Sequence, residues 1–285
     1  MWPVFYVLAL ASAGFYGSAD FLGGLASRRA NTIAVVVISQ GAGLIALGLM
    51  MPFLTASPTR HDLVWGAAAG VAGGTGVALL YRALAIGSMA VVAPITAVCA
   101  VIVPVAAAIA FGERPGTRVA VGIATAIVAI VLVSQQQVEP GAEGTSTSAR
   151  SDSVPIAFFS GVAIGLFFLA LARTRAEAGM WPLLAARSMS FGLFATIALV
   201  MRSPMRMPKD IGALTVAGGL LDMLANLLYL IASRYGPLSV VVTLSSLYPA
   251  STVLLARTVL RERLSATQVL GIVCALVAVV LIVSS

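Results

Sequence analysis

Residues 87–123 read GSMAVVAPITAVCAVIVPVAAAIAFGERPGTRVAVGI, and residues 236–272 read GPLSVVVTLSSLYPASTVLLARTVLRERLSATQVLGI. A shift from residue 87 to residue 236 aligns them, and each contains an apolar run, a short charged junction and the start of another apolar run. The shift also places Glu113-Arg114 on Glu262-Arg263. Biased composition alone does not readily explain two such pairs at equivalent junctions. We infer an internal repeat.

Apolar segments of about twenty residues follow one another along the whole chain. A helix of about 20 apolar residues crosses a hydrocarbon core of about 30 Å, and in lipid so apolar a backbone must be helical. Only 9% of the residues are charged, against roughly 25% in soluble domains. The alternating polarity of barrel strands is absent. The predicted spans are 3–25, 32–53, 63–85, 89–111, 117–134, 154–172, 180–201, 211–232, 237–260 and 266–284.

The two halves contain five spans each, so the second half must enter a bilayer in the opposite orientation to the first. Inverted repeats are typical of secondary transporters, whose binding site lies near the midplane. We therefore predict an all-α integral membrane protein with ten transmembrane helices, arranged as two inverted five-helix repeats around a central cavity. The repeats are residues 1–134 and 154–285, and the polar segment 135–153 is predicted to be a flexible linker.

Short motifs in both halves carry a resemblance to a known family. The matching stretches are YGSADFLGG at 16–24, LYRALA at 80–85, VAPIT at 92–96, GERP at 112–115, LYP at 247–249 and RER at 261–263. The chain resembles the ten-helix EamA-type members of the drug/metabolite transporter superfamily over its whole length. This resemblance implies two five-helix bundles around a central cavity that works by alternating access. Members move very different small molecules, so the substrate stays open.

The net charge of +7 does not indicate a nucleic-acid partner, because the basic residues stand singly or in pairs at span ends, where lipid headgroups lie. The chain has one histidine, His61, in a predicted loop, and no nucleophile accompanies it. Neither a phosphate-binding glycine motif nor a metal-ligand spacing is present. We expect no catalytic residues, no metal and no cofactor, and therefore no enzyme.

Asp222 is the most informative single residue, because it lies near the middle of the eighth span. An acidic group costs about 2.5–3.5 kcal/mol there. Asn226 and Tyr229 follow on the same helix face, so this polar stripe is expected to face a water-filled cavity. One interpretation makes Asp222 a proton acceptor or cation contact. The alternative is a structural ion pair with Arg187.

Two further charged residues lie inside predicted spans. Arg187 is either a cation in the cavity or an interfacial anchor, since its long stem can reach the membrane surface. Asp20, one turn after Tyr16, is either a second titratable cavity group or a carboxylate near the interface beside Arg28 and Arg29.

The third span carries Gly66, Gly70 and Gly74 at four-residue spacing, which allows another helix to approach closely. Packing within the chain is favoured over a dimer face. Tyr81, near the end of the same span, is predicted to line the cavity as the counterpart of Tyr229.

Prolines inside spans remove backbone donors and permit bending. Pro94, Pro104 and Pro249 are therefore candidate hinges for gating, although static kinks are an equal alternative. Ser245 and Tyr248 add hydroxyl groups beside Pro249 and make the ninth span a plausible cavity wall.

Glu113 and Glu262 both end a helix within a charged junction. We interpret both as structural residues that accept hydrogen bonds from the first N–H groups of the following helix and pair with neighbouring arginines.

Taken together, these patterns predict a secondary active transporter that exports a small organic metabolite or drug by alternating access, with proton coupling through Asp222. The alternatives are a non-transporting membrane partner subunit and a membrane-embedded lipid-modifying enzyme. We expect a monomer in a bacterial plasma membrane. The distribution of basic residues weakly favours external termini, whereas the family resemblance implies cytoplasmic termini, which we adopt.

Overall fold

The computed structural model describes residues 4–53, 56–86, 89–133, 147–259 and 265–284. All regular structure in these ranges is helical, including two short 3₁₀ turns at Met51–Phe53 and Ala176–Ala178. The α-helices are α1 (Val4–Ser27), α2 (Thr32–Met50), α3 (Arg60–Ile86), α4 (Met89–Ala110), α5 (Thr117–Val133), α6 (Thr147–Ala172), α7 (Trp181–Val200), α8 (Lys209–Tyr235), α9 (Leu238–Ser245), α10 (Tyr248–Val259) and α11 (Ala266–Val283).

Seven of the described helices are long and apolar enough to cross a membrane. Three shorter apolar segments, at Ile95–Ala110, Thr117–Val133 and Leu238–Thr252, fit the remaining predicted spans. Large apolar side chains such as Leu199 and Val200 are 79% and 78% exposed, as expected of a surface that faces lipid. The chain is a multi-pass helical membrane protein.

Two boundaries differ from the sequence-based expectation. Helix α6 begins at Thr147, inside the segment predicted as a linker, because its polar first turns precede the apolar part that hydropathy detects. The predicted ninth span consists of two helices, α9 and α10, separated by Ser246 and Leu247. Pro249 favours this break, since it has no N–H to donate to the carbonyl of Ser245 and its ring disfavours the preceding helical turn.

Helices that correspond under the repeat make corresponding contacts with the other half. Helix α1 packs along α8, and its counterpart α6 packs along α3. Both pairs run antiparallel, as their hydrogen bonds and close approaches show. Helices α2 and α7 pack against α8 and α3, and α5 packs against α11. Each half therefore completes its packing with helices of the other half.

The glycine spacing of α3 is used inside the chain, against α7. A Cβ on Gly70 would stand 2.2 Å from the carbonyl oxygen of Ala186, so the two backbones are in direct contact. The hydroxyl of Ser190 donates to the carbonyl of Gly70 over 2.8 Å. The facing positions are Gly66 with Pro182, Gly70 with Ala186, and Gly74 with Ser190.

Candidate functional site

A pocket lies among the middle turns of helices from both halves of the chain. About 60 Å³ of it is accessible to the centres of water molecules, which is enough for several waters. The lining residues are Tyr16 and Asp20 of α1, Gln40 of α2, Ala69, Gly70, Gly73, Gly74, Val77 and Leu80 of α3, Ile164, Phe167 and Phe168 of α6, Leu183, Ala186, Arg187 and Ser190 of α7, Asp222 and Asn226 of α8, and Tyr248 of α10.

An ion pair between Arg187 and Asp222 forms one wall of the pocket. The Arg187 side chain is only 5% exposed, and its Nη2 donates to Oδ2 of Asp222. Its Nη1 donates to Oε1 of Gln40 over 2.5 Å. The guanidinium therefore lies inside the bundle, paired with Asp222 as the alternative interpretation expected, and not at the membrane surface.

The polar stripe of α8 continues into a second hydrogen-bond chain. Asn226 donates through Nδ2 to the carbonyl of Asp222 over 2.6 Å. Its Oδ1 accepts from the hydroxyl of Tyr16 over 2.8 Å. The Tyr16 ring meets the Tyr248 ring edge-on, with centroids 6.4 Å apart. These contacts tie α8 to α1 across the boundary between the halves.

Asp20 is the charged lining residue that has no partner among the described residues. Its side chain is partly exposed to the pocket. Within the described parts of the chain, its carboxylate makes no hydrogen bond or ion pair. Arg28 and Arg29 are exposed at the end of α1, and eight residues of helix correspond to about 12 Å. Asp20 is thus free to interact with whatever enters the pocket.

Three residues predicted as cavity walls lie instead between helices. Tyr229 is fully buried and packs against Phe168, which lines the pocket. Its hydroxyl donates to the Phe168 carbonyl over 2.9 Å, with ring centroids 4.5 Å apart. Tyr81 is buried in an apolar cluster at the α3 end. The hydroxyl of Ser245 lies 3.4 Å from the carbonyl oxygen of Ala9.

The candidate hinge prolines differ in their local structure. Pro94 and Pro104 lie within α4, which runs without a break from Met89 to Ala110. Pro249 is buried in the first turn of α10, directly after the break. Only the last of the three coincides with an interrupted helix.

Glu113 caps a helix, but not the one expected. Its Oε1 accepts from the N–H of Leu238 over 2.8 Å, and its Oε2 accepts from Ser239 over 3.2 Å. These amides begin α9 in the second half of the chain, whereas the sequence predicted capping of the following helix, α5. A carboxylate is stabilised at any nearby helix N-terminus, and sequence distance does not reveal which one is near. Glu262 lies outside the described residues.

A buried carboxylate that the sequence did not single out joins the halves at this same end of the bundle. Asp62 is fully buried and accepts from the N–H and hydroxyl of Thr59. It also accepts from the N–H, Nε and Nη2 of Arg175, at 2.9, 3.2 and 3.1 Å. Asp62, Thr59 and Arg175 form what we call the Asp62 cluster, which ties the α2–α3 connection to the α6–α7 connection.

Gln40 and the Phe167-Phe168 pair line the pocket without having been predicted. A signal for Gln40 was available, since Ser39-Gln40 interrupts an otherwise apolar second span. The two phenylalanines carry no such signal, because an aromatic residue in an apolar helix is indistinguishable from ordinary packing.

Comparisons with known proteins agree on family and fold. The model of the EamA-like transporter family matches residues 4–135 and again residues 152–284. A solved structure aligns over 98% of this chain and 96% of its own chain, with a TM-score of 0.70 and 15% sequence identity. At that identity the likeness concerns the fold alone. No curated protein matches the sequence.

Proposed function

We propose that this chain, which belongs to the EamA-like transporter family, is a secondary active transporter that exports a small organic molecule through the pocket by alternating access. It acts as a monomer in a bacterial plasma membrane, with both termini in the cytoplasm. One observation carries the proposal: three charged side chains from α1, α7 and α8 converge on one pocket in the middle of an apolar bundle.

Energetics favour a functional reason for this convergence. A charged side chain near the bilayer centre costs about 2.5–3.5 kcal/mol on insertion scales. A purely structural ion pair requires two charged side chains, and Arg187 and Asp222 already supply both. Asp20 adds a third charge at the same place without a described partner. Ionisable groups placed this way in membrane proteins commonly mark substrate or proton pathways.

The packing of the two halves supports an inverted repeat. Helix pairs α1–α8 and α6–α3 correspond and are both antiparallel. Each half contributes five spans, so the second half crosses the membrane in the opposite orientation. Alternating access then requires helix pairs formed across the halves, such as α1–α8 and α6–α3, to tilt against each other around the pocket. The break before Pro249 is the proposed hinge.

The contacts at one end of the bundle support a state that is closed on that side. Asp62 contacts Arg175, and Glu113 contacts the start of α9 at Leu238, so both contacts join the halves. With every span crossing once, these connections share the side of the termini. We assign the contact of Glu113 with the start of α9 to a cytoplasmic gate that must separate when the pocket opens inward.

Proton coupling fits Asp20 better than Asp222. The sequence predicted Asp222 as the acceptor, but Arg187 already engages its carboxylate. The carboxylate of Asp20 faces the pocket without a described partner and is available to a proton. We therefore assign the exchange of protons to Asp20 and a fixed, positioning role to the Arg187–Asp222 pair.

Proteoliposomes that contain a trapped pH-sensitive dye test this proposal. A pH gradient is imposed, and amino acids, amines, carboxylates, sugars and aromatic drugs are added one at a time. At least one compound should dissipate the gradient with the wild-type chain but not with empty liposomes. Asp20→Asn should abolish this response. Asp210→Asn, the same change at an exposed carboxylate at the start of α8, should preserve it.

The proposal fails if no compound class moves protons or crosses the membrane in a protein-dependent manner. Unchanged gradient-driven flux in the Asp20→Asn variant would remove the assignment of proton coupling to Asp20.

A further inference from the structure

The pocket has a charge balance that favours one class of substrate. Resting on the proposed transport function, we propose that the pocket selects organic cations with an aromatic or apolar body, whose positive group binds the carboxylate of Asp20.

The only cation among the described lining residues is already neutralised. Arg187 directs Nη1 to Gln40 and Nη2 to Asp222. With Asp20 and Asp222 ionised, the lining therefore carries one net negative charge. An anionic substrate would lie in a pocket that already contains two carboxylates and would be repelled by both. A cationic substrate removes the excess charge without breaking any existing contact.

The walls beside Asp20 suit the remainder of such a molecule. Tyr16 lies one turn before Asp20 on α1, and its ring meets those of Tyr248 and Phe168 edge-on, at 6.4 and 5.8 Å between centroids. Phe167 completes this aromatic wall. Aromatic faces attract cations when the charge is desolvated, and their area also packs against apolar groups.

The groups around Asp20 indicate that a proton and a cation compete for it. Four described ionisable groups on α1, or on helices packed against it, act on Asp20 or line its pocket. They are Tyr16 of α1 itself, Tyr81 of α3, Asp222 of α8 and Tyr248 of α10. Helix α2 contributes only the uncharged Gln40 to the lining. The positive charge that the described lining does contribute, Arg187 of α7, is paired with Asp222. One bound monovalent cation therefore takes the place of one proton, and the proton leaves to solvent.

Equilibrium binding to the purified full chain in detergent tests this inference without requiring transport. Three probes of similar size are titrated calorimetrically: benzyltrimethylammonium, the neutral N,N-dimethylbenzamide and the anion phenylacetate. We expect the cation to bind best and to bind more weakly as the pH falls. Asp20→Asn should weaken the affinity for the cation by at least about tenfold, as expected for loss of a charge-assisted contact. The cation should still bind to Asp20→Glu, which retains the charge, and to the control Asp210→Asn.

The neutral probe or the anion binding as tightly as the cation would overturn the inference. So would a folded Asp20→Asn protein that keeps wild-type affinity for benzyltrimethylammonium. These outcomes differ from failure of the transport proposal: a chain that binds cations but carries no compound refutes transport alone, whereas protein-dependent flux restricted to neutral or anionic compounds refutes cation selectivity alone.

Discussion

Removing the charge of Asp222 from the Arg187–Asp222 pair should lower the free energy of unfolding more than removing the charge of Arg187. Asp222→Asn leaves a guanidinium that is only 5% exposed without its counter-charge, although Gln40 still accepts a hydrogen bond from it. Arg187→Gln leaves a carboxylate that is 22% exposed toward the pocket. Removing one partner of a buried pair costs about 3–5 kcal/mol. We expect about 3 kcal/mol of unfolding free energy for Asp222→Asn and about 2 kcal/mol for Arg187→Gln, because pocket water solvates the remaining carboxylate better.

The double variant Arg187→Gln/Asp222→Asn should cost only about 1 kcal/mol, because neither charge remains and the amides can hydrogen-bond each other. The resulting coupling energy is about 4 kcal/mol, above the usual range of about 0.5–3 kcal/mol for interacting residues. Reversible unfolding in mixed micelles, followed by tryptophan fluorescence, measures all four proteins. A control cycle with Asp210→Asn and Arg118→Gln, both at exposed positions, should be additive. Additivity within about 0.5 kcal/mol at the 187–222 pair would refute the reasoning.

Three further changes test contacts that hold the fold. Gly70→Ala should lower the free energy of unfolding by about 1–3 kcal/mol, because its Cβ would stand 2.2 Å from a carbonyl oxygen of α7. Gly192→Ala, whose Cβ would have no atom within 4 Å, should cost nothing. Equal costs for the two variants would contradict this packing. Glu113→Ala should cost about 0.5–2 kcal/mol through loss of the α9 cap, while Glu177→Ala, at an exposed site, should be neutral. Asp62→Asn should cost about 1–3 kcal/mol, since a buried charged acceptor of the Arg175 fork is lost; an unchanged unfolding midpoint would show that this cluster is not stabilising.

Hydropathy predicted the membrane class and the order of the spans because the bilayer itself imposes their length and apolarity. The interruption of the ninth span was less predictable. Pro94, Pro104 and Pro249 are equally unable to donate a backbone hydrogen bond, yet α4 is continuous and the break occurs before Pro249. Tertiary packing decides among such sites, since the freed backbone groups must be accommodated by whichever helices surround them.

For the site as well, the sequence predicted which residues are important but not which residues of other helices contact them. Asp20, Arg187 and Asp222 stood out because charges in apolar spans are expensive, and all three line the pocket. The sequence named Asp222 as one partner for Arg187, but it could not reveal that Asp20 would have no partner among the described residues. Nor could helical periodicity reveal that Tyr229 would be fully buried against Phe168. The surroundings of Asp20 and of Tyr229 both depend on which side chains of other helices pack beside them.

The two carboxylates consequently have separate roles that one comparison can distinguish. In Asp222→Asn, the guanidinium of Arg187 loses its counter-charge and becomes a cation in the pocket that also contains Asp20. The net charge of the lining then rises from one negative charge to zero, so cation binding should be lost although Asp20 is intact. In Arg187→Gln/Asp222→Asn, Asp20 is the one remaining charge of the lining, and benzyltrimethylammonium binding should return. If Asp222 were itself the cation site, the double variant would bind no better than Asp222→Asn, and the assignment of binding to Asp20 would be wrong.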